Sequence, residues 1–403
     1  MSSTAGRWLT GQDEGGADPA DGNDPVHALV HVSRLLGQDP SLVLHGGGNS
    51  SLKLGELIRV KASGHDMRTI DTAGLPGLRR EALHELASRE SLSDLEMMEG
   101  YRDAAVDPGS PRATIEALVH NLIPERSVLH THADAIVALT NTVDAEAIVR
   151  DALGPDVLLL PFVMPGFDLA RRIRRELDAR GGKLPAAIVL RHHGLFTWGD
   201  SPRSAYELHI RLVEAAEQYI LDRTGVLFAE DHSDSREVVG PALSPMVRDL
   251  LASAGTLKGG KVHAVRVNGP EVTRFLEDDA LLAATQRGTA SLEHVIHTKR
   301  LPLLGTDVDS YAEDYRDYFR RNARGTEREL TMLDPVPRVV LPDGSGIIAL
   351  GRDRRRAEIA ADIYRHTMRV IEASEALGGY ETVTEAQSFA IEYWELEQAK
   401  LQG

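Results

Sequence analysis

The spacing of apolar residues along the chain predicts short strands and helices in alternation. The clearest helix follows Asp24, a residue type that caps helix N-termini, has Pro25 in its first turn and stops at Gly37. The same spacing predicts strands at 52–54, 57–62, 127–132, 157–160 and 187–191, and helices at 75–89, 114–122, 144–153, 167–180, 201–222 and 354–377. Strict strand–helix–strand repetition is absent, but the mixture predicts an α/β fold.

Two polar stretches divide the chain. Residues 10–24 are acidic, glycine-rich and nearly free of large apolar groups, which predicts a flexible acidic leader at 1–24. Residues 226–245 collect acidic, serine and proline residues, which predicts a linker. We therefore expect a first domain at 25–225 and a C-terminal α/β extension at 246–403 that ends in helices. A chain of 403 residues is longer than one hydrophobic core usually serves.

The composition limits the partners that the chain can have. A net charge of −16 argues against binding to nucleic acid or to an anionic membrane surface. No apolar run is long enough to span a bilayer, and the N-terminus lacks the apolar core of a signal peptide. We therefore expect a cytoplasmic protein that acts on a small molecule.

The absence of cysteine restricts the metal chemistry. The chain can form no disulfide and has no thiolate ligand. Any transition metal must be held by imidazole and carboxylate groups, a set that suits zinc, iron, manganese or cobalt.

Two histidine motifs could supply such ligands. His130 and His132 lie two apart in a predicted strand, so both imidazoles point to one face. His193 follows another predicted strand, and Gly194 behind it would let a second backbone approach. Each motif also has an ordinary interpretation, as strand histidines with hydrogen-bonded rings or as a loop histidine. Sixteen histidines in 403 residues produce about 0.6 pairs two positions apart by chance, so spacing alone decides nothing.

Two further features could complete a site. Glu116 and His120 are four apart in a predicted helix and would share a face, although such pairs are common on solvent-facing helices. The loop from His45 to Ser51 contains three consecutive glycines, which free the backbone to direct N–H groups at an anion. The alternative for this loop is a flexible approach to the first hairpin.

The order of these motifs resembles that of the class II aldolase/adducin family, which includes fuculose-phosphate and rhamnulose-phosphate aldolases and ribulose-phosphate 4-epimerase. The residues that carry the resemblance are Gly48-Asn49-Ser50-Ser51, Ser63-Gly64, Thr114-Ile115-Glu116, His130-Thr131-His132 and His193-Gly194. Segments 27–51, 129–141 and 376–401 look most like the aldolase half of the bifunctional rhamnulose-1-phosphate aldolase/short-chain dehydrogenase. No Gly-x-Gly-x-x-Gly follows a predicted strand, so we expect no dehydrogenase activity in this chain.

The resemblance implies a three-layer αβα fold with a central, mainly antiparallel sheet. It further implies Zn²⁺, or another divalent metal, on His130, His132 and His193, with Glu116 as the catalytic acid/base. The phosphate of the substrate would be bound by Gly48, Asn49, Ser63, Gly64 and Thr114. A ketose 1-phosphate such as rhamnulose 1-phosphate would be cleaved to dihydroxyacetone phosphate and an aldehyde such as lactaldehyde. The family also suggests a homo-oligomer, for which we expect a tetramer.

Two alternatives stay open. The 4-epimerases of the family generally carry Asp where this chain has Glu116, which favours aldol cleavage. Adducin-like members keep the fold for assembly and lose the ligands, whereas this chain retains them. Some members have two consecutive hydroxyl residues before the carboxylate, but Ile115 follows Thr114 here, so the phosphate contacts are expected to differ. A second acid, a tyrosine in related enzymes, maps to no motif.

A basic cluster lies in the C-terminal half. His294, His297 and Arg300 fall within eight residues, and the two histidines could share a helical face. The cluster is a candidate anion or metal site. Its ordinary interpretation is a solvated basic turn.

Overall fold

A computed structural model describes residues 24–226, 228, 235–238, 245–258, 261–326 and 329–396. The predicted acidic leader, apart from Asp24, lies outside the described residues. The chain divides into two compact units. The first contains the described residues up to 140 and 144–223, and the second contains 141–143 and the residues from 224 onward.

A seven-stranded sheet forms the centre of the first unit. Its strands are β1 Asn49–Leu54, β2 Leu57–Val60, β3 Gly77–Arg79, β4 Ser127–Thr131, β5 Val157–Leu160, β6 Ala187–Leu190 and β7 Gly194–Gly199. They lie in the order β3-β2-β1-β4-β7-β6-β5. Every neighbouring pair is antiparallel except β5 and β6. The predicted α/β fold with a mainly antiparallel sheet is confirmed.

Helices cover this sheet. They are α1 Pro25–Gln38, α2 Arg80–Ala87, α3 Asp94–Ala104, α4 Ala117–Leu122, α5 Asp134–Thr140, α6 Ala145–Leu153, α7 Phe167–Ala179 and α8 Pro202–Thr224, with short 3-10 turns at Met67–Thr69 and Thr72–Gly74. All residues of β4 and β6 are buried. Because successive side chains on a strand point to opposite faces, the centre of the sheet is covered on both sides.

The predicted helix at 75–89 is wrong in its first turn. Gly77–Arg79 form the edge strand β3, and helix α2 begins only at Arg80. The cause is a long-range pairing, because Leu78 lies opposite Ile58 of β2 and both side chains are buried. Pairing with β2 satisfies backbone groups that a local helix would otherwise satisfy, so tertiary structure overrides the local pattern.

The second unit contains a five-stranded sheet. Its strands are β8 Ser235–Val238, β9 His263–Asn268, β10 Leu303–Leu304, β11 Val339–Leu341 and β12 Ile347–Gly351, in the order β10-β11-β12-β9-β8. Its helices are α9 Pro245–Lys258, α10 Pro270–Leu276, α11 Asp279–Thr285, α12 His294–Thr298, α13 Val308–Ala323, α14 Arg354–Ala376 and α15 Glu385–Glu392. The long helix expected at 354–377 corresponds to α14.

The predicted linker at 226–245 contains strand β8, so the prediction is wrong for these four residues. Their backbone pairs antiparallel with β9, from Ser235 opposite Asn268 to Val238 opposite Val265. The strand is only four residues long and includes Ser, Arg and Glu, so its sequence has no apolar alternation to indicate it.

Among the described residues, no helix is both long enough and apolar enough to cross a bilayer.

Candidate metal centre and active site

Two neighbouring strands, β4 and β7, bring the predicted ligands together. His130 lies in β4, opposite Asn49 of β1 on one side and Phe196 of β7 on the other. His132 stands one residue beyond the end of β4, and His193 immediately precedes β7. Because β4 and β7 are antiparallel neighbours, the end of one and the start of the other lie at the same edge of the sheet.

The spacing of the three imidazoles suits a metal ion. One nitrogen from each ring lies within 4.8 Å of the others, and Nε2 of His130 is 3.0 Å from Nε2 of His132. Zinc–nitrogen bonds of about 2.0–2.1 Å at tetrahedral angles would hold such nitrogens roughly 3.3 Å apart. Within the described part of the chain, His130, His132 and His193 form the group of at least three potential metal ligands whose ligand atoms lie close enough to hold one ion.

The protein orients His130 for this role. Its Nδ1 is 3.0 Å from the carbonyl oxygen of Leu195, which can only accept a hydrogen bond. Nδ1 therefore carries the proton, and the lone pair of Nε2 faces the other histidines. Carbonyl contacts of this kind fix the tautomer of metal-binding histidines in many sites. The ring also stacks on Phe196 with centroids 4.0 Å apart, which fixes its plane.

The backbone around His193 requires Gly194. A Cβ at Gly194 would lie 2.1 Å from the carbonyl oxygen of Thr131. The predicted close approach of a second backbone is therefore confirmed, and the approaching strand is β4. The preceding residue, His192, has a φ of 61°, an uncommon backbone conformation for a residue with a Cβ. The turn from β6 to β7 is thus held tightly against β4, which sets the position of His193.

Gly194→Ala is expected to separate β4 from β7 and to weaken the site. Overpacking against backbone costs typically 1–3 kcal/mol, which corresponds to roughly 2–4 °C in Tm per kcal/mol for a unit of this size. Any divalent metal held by the three histidines should bind more weakly as well. Gly77→Ala is the matched control, since a Cβ there meets its nearest atom at an ordinary 3.7 Å. Equal melting temperatures and metal contents in the two variants would contradict this prediction.

The position of Glu116 differs from the prediction. Helix α4 begins at Ala117, not Thr114, and Glu116 is its N-cap residue. The Tyr101 hydroxyl donates to the carbonyl of Ile115 at 3.0 Å and accepts from the amide of Leu118 at 3.1 Å, so it holds the backbone on both sides of Glu116. Glu116 is 4% exposed, which excludes the solvent-facing interpretation.

The Glu116 carboxylate faces the histidine cluster. Oε2 is 3.5 Å from Nε2 of His130, and Oε1 is 3.7 Å from Nε2 of His193. Oε2 accepts a hydrogen bond of 2.7 Å from the Asn49 amide. Oε1 has no hydrogen-bond partner among the described residues. A buried carboxylate oxygen is therefore available beside three imidazoles.

The predicted phosphate residues converge next to this carboxylate. Asn49 Nδ2 is 3.3 Å from Thr114 Oγ1. An isolated bridge pairs Ala62 with Ala113, which brings the turn of Ser63 and Gly64 beside Thr114. Gly48 has a φ of 62°, a conformation that favours glycine, and a Cβ there would meet the carbonyl oxygen of His130 at 3.0 Å.

Two amides near the predicted phosphate site, one in the glycine loop and one in the turn of Ser63 and Gly64, are not directed at an anion. The amide of Gly47 donates to the carbonyl of Leu44, and that of Ser63 donates to the carbonyl of Arg112. Those two N–H groups are therefore engaged with backbone.

The sequence did not single out Lys61, which lies beneath the glycine loop. Lys61 is 2% exposed, and its Nζ donates to the carbonyl of Gly46 at 3.0 Å. A buried ammonium group beside an exposed turn of Ser63 and Gly64 is a favourable environment for an anion. The only signal in the sequence is a charged residue at the end of an apolar strand, which by itself is common.

The basic cluster of the second unit does not assemble a comparable site. His294 is buried, and its Nδ1 contacts the Thr367 hydroxyl at 3.2 Å. Arg300 donates to the carbonyl of Arg287 and lies 3.9 Å from Glu385. Neither His294 nor His297 belongs to a group of three potential metal ligands among the described residues.

Comparison with known proteins places these features in a family. The family model of the class II aldolase and adducin N-terminal domain matches residues 27–220, and that of the class II aldolase second domain matches residues 239–401. The N-terminal class II aldolase domain of a conserved protein from Thermoplasma acidophilum is 35% identical, with all of that chain and 52% of this one covered and a TM-score of 0.47.

Two further proteins are less similar. L-fuculose-1-phosphate aldolase from Thermus thermophilus is 20% identical, with 96% of that chain and 49% of this one covered and a TM-score of 0.35. A curated relative from Bacillus subtilis strain 168, named uncharacterized oxidoreductase YuxG, is 28% identical over 409 residues. That match covers 93% of this chain and 58% of the relative, so the chain spans less than two thirds of the relative's length. The two family models and the fully covered, 35% identical domain show that this chain belongs to the class II aldolase/adducin family.

Proposed function

We propose that this protein is a zinc-dependent aldolase that cleaves a ketose 1-phosphate similar to rhamnulose 1-phosphate. The products would be dihydroxyacetone phosphate and an aldehyde such as lactaldehyde. The observation that carries the proposal is the position of Glu116. Its Oε1 lies 3.7 Å from Nε2 of His193 and has no hydrogen-bond partner among the described residues. Metal-assisted proton transfer requires an acid/base group next to the metal site, and a carboxylate buried beside three histidines meets this requirement.

The donor set fits a divalent metal. Three imidazole nitrogens without a fourth protein ligand are typical of catalytic zinc sites, which keep a position for substrate. His130, His132 and His193 would hold the ion, with the carbonyl of Leu195 fixing the tautomer of His130. When bound, the metal would polarise the substrate carbonyl and stabilise the negative charge that develops as the C3–C4 bond breaks.

The proton balance assigns a role to Glu116. Aldol cleavage removes a proton from the C4 hydroxyl and adds one to C3 of the dihydroxyacetone phosphate fragment. Glu116 would supply the proton at C3 and, in the direction of synthesis, remove it. A second acid/base, a tyrosine in related enzymes, would take the proton of the C4 hydroxyl. The hydrogen bond from Asn49 engages Oε2 and leaves Oε1 for this transfer.

The phosphate would lie where Asn49, Thr114 and the turn of Ser63 and Gly64 meet, with the backbone of Gly48 beside it. Lys61 would add a positive charge from beneath the loop. Since the protein carries a net charge of −16, this local ammonium group would offset the unfavourable field that an anionic substrate encounters.

The test is a panel of ketose 1-phosphates incubated with the protein and assayed for dihydroxyacetone phosphate. We expect cleavage of at least one 6-deoxyketose 1-phosphate, loss of cleavage after chelation, and recovery when Zn²⁺ is added back. The panel should include pentulose 5-phosphates with detection of their C4 epimers, because the 4-epimerase is the alternative within the family. Epimerisation without cleavage would overturn the proposal in favour of the epimerase.

A second outcome would favour a non-catalytic, adducin-like assembly protein. That protein would purify without stoichiometric metal and turn over no member of the panel. We further propose a homo-oligomer, with a tetramer expected, and light scattering would measure its mass. A monomer that retains full activity would contradict the proposed assembly without affecting the proposed reaction.

A further inference from the structure

We propose that His120 is a positioning residue that, through Asn49, fixes the direction of the Glu116 carboxylate. The inference rests on the proposed role of Glu116 as the acid/base. It assigns a task to a histidine that forms no part of the metal cluster.

Four buried side chains form a continuous series of hydrogen bonds. Ser51 Oγ is 2.8 Å from His120 Nδ1, His120 Nε2 contacts Asn49 Oδ1, and Asn49 Nδ2 is 2.7 Å from Glu116 Oε2. Ser51 and His120 are completely buried, and Asn49 and Glu116 are 5% and 4% exposed. Because bulk water has so little access, each bond must be satisfied within the series.

The chemistry of the groups gives the series one direction. The Asn49 amide oxygen can only accept, so His120 Nε2 must carry the proton. His120 Nδ1 then accepts from the Ser51 hydroxyl. Burial lowers the pKa of His120 to about 3, in agreement with a neutral ring that carries a single proton. If the amide of Asn49 were reversed, its oxygen would face the Glu116 carboxylate, and two acceptors would oppose each other.

The direction of these hydrogen bonds determines how the Glu116 carboxylate is oriented. The amide of Asn49 presents an N–H to Oε2 at 2.7 Å. Asn49 thereby holds one oxygen and leaves Oε1 toward His193. Without the proton on His120 Nε2, the orientation of the Asn49 amide would depend on Glu116 and Thr114 alone.

The backbone anchors this series at both ends. Helix α4 carries His120 one turn after Glu116, and the amide of His120 donates to the carbonyl of Glu116 at 3.1 Å. Lys53 Nζ donates to the carbonyl of His120 at 2.7 Å, which ties the same turn to strand β1. Asn49 and Ser51 also belong to β1 and, two apart, point to one face. The series therefore fixes α4 and β1 relative to each other at the residue that is proposed to transfer the proton.

The test compares His120→Gln with His120→Met. Glutamine can place an N–H donor near the position of Nε2, whereas methionine has a similar length and no donor. We expect His120→Met to lower kcat roughly 10- to 100-fold with the metal content unchanged, because outer contacts of catalytic groups commonly have effects of this size. His120→Gln should retain kcat within a few-fold of the wild type. Equal losses in the two variants would overturn the proposal.

A double-mutant cycle separates positioning from general structural damage. If His120 acts through Asn49, then His120→Met should have little further effect on kcat in an Asn49→Leu background. If the effects of the two substitutions on kcat multiply in the double variant, His120 acts independently of Asn49. That result would contradict the proposal.

A spectroscopic measurement covers the case in which His120→Met fails to fold. Nitrogen-15 NMR of the imidazoles in the wild-type protein should show His120 neutral with the proton on Nε2. A proton on Nδ1, or on both nitrogens, would overturn the inference. This measurement does not depend on activity. A wild-type protein that cleaves no substrate would refute the proposed function, and the tautomer of His120 would still be tested by the NMR measurement.

Discussion

Glu116→Gln should lower kcat for cleavage of the best ketose 1-phosphate by roughly 10²- to 10⁴-fold, the range in which a positioned acid or base contributes. Glutamine preserves the shape of the side chain, and its carbonyl oxygen can still accept from Asn49, but the amide cannot take up a proton. The fold should therefore be unchanged. Steady-state kinetics give kcat and KM, and elemental analysis gives the bound metal.

The control is Glu146→Gln, because Glu146 is exposed on helix α6. That variant should match the wild type in every measurement. Two results would contradict the assigned role of Glu116. One is a Glu116→Gln protein with wild-type kcat, and the other is a loss of activity that follows loss of metal. The second result would mean that Glu116 is a ligand and not the proton-transfer group.

The second large effect is expected for His132→Ala, which should lose both stoichiometric zinc and cleavage. The remaining histidines supply two ligands, fewer than the three that catalytic zinc sites use. His132 is partly exposed, whereas His130 is completely buried, so its truncation disturbs the core least. Zinc per chain, measured after dialysis against a weak chelator, should fall from about one to near zero, and cleavage should fall at least 10²-fold.

His84→Ala controls for metal that binds to exposed histidines, because His84 is exposed on helix α2 of the same unit. It should leave zinc content and kcat unchanged. If His132→Ala retained one zinc per chain with full activity, the three-histidine centre would be wrong. If it retained zinc without activity, His132 would orient the metal and not be needed to hold it.

The sequence predicted the parts of this site that depend on local pattern. Strand β4 was predicted at 127–132, and that assignment placed two histidines on one face. The helix that follows Asp24 was predicted with its cap, and the Asp24 carboxylate accepts from the amide of Val26 at 2.8 Å. Family resemblance then supplied the third histidine and Glu116, which spacing alone could not select.

The features that the sequence missed depend on contacts between distant segments. Asn49 and Glu116 are 67 positions apart, and nothing near either residue indicates that their side chains meet. His120 was noticed only as a neighbour of Glu116 on a helix, whereas its bonds run to Asn49 and Ser51 of β1. Lys61 is similar, since a lysine after an apolar strand is usually solvated and becomes informative only once it is known to be buried under the loop.

The pairing of β4 with β7 also ties any metal to the folding equilibrium of the chain. His130 and His193 are separated by 63 positions, and only the paired strands bring them to one point. The unfolded chain offers His130 and His132 as a local pair but not the third ligand. A metal that needs all three would bind the native form selectively and stabilise it by about 2.7 kcal/mol at a free concentration of 100 times its Kd. Zinc supply would then set the lifetime of the protein as well as its activity.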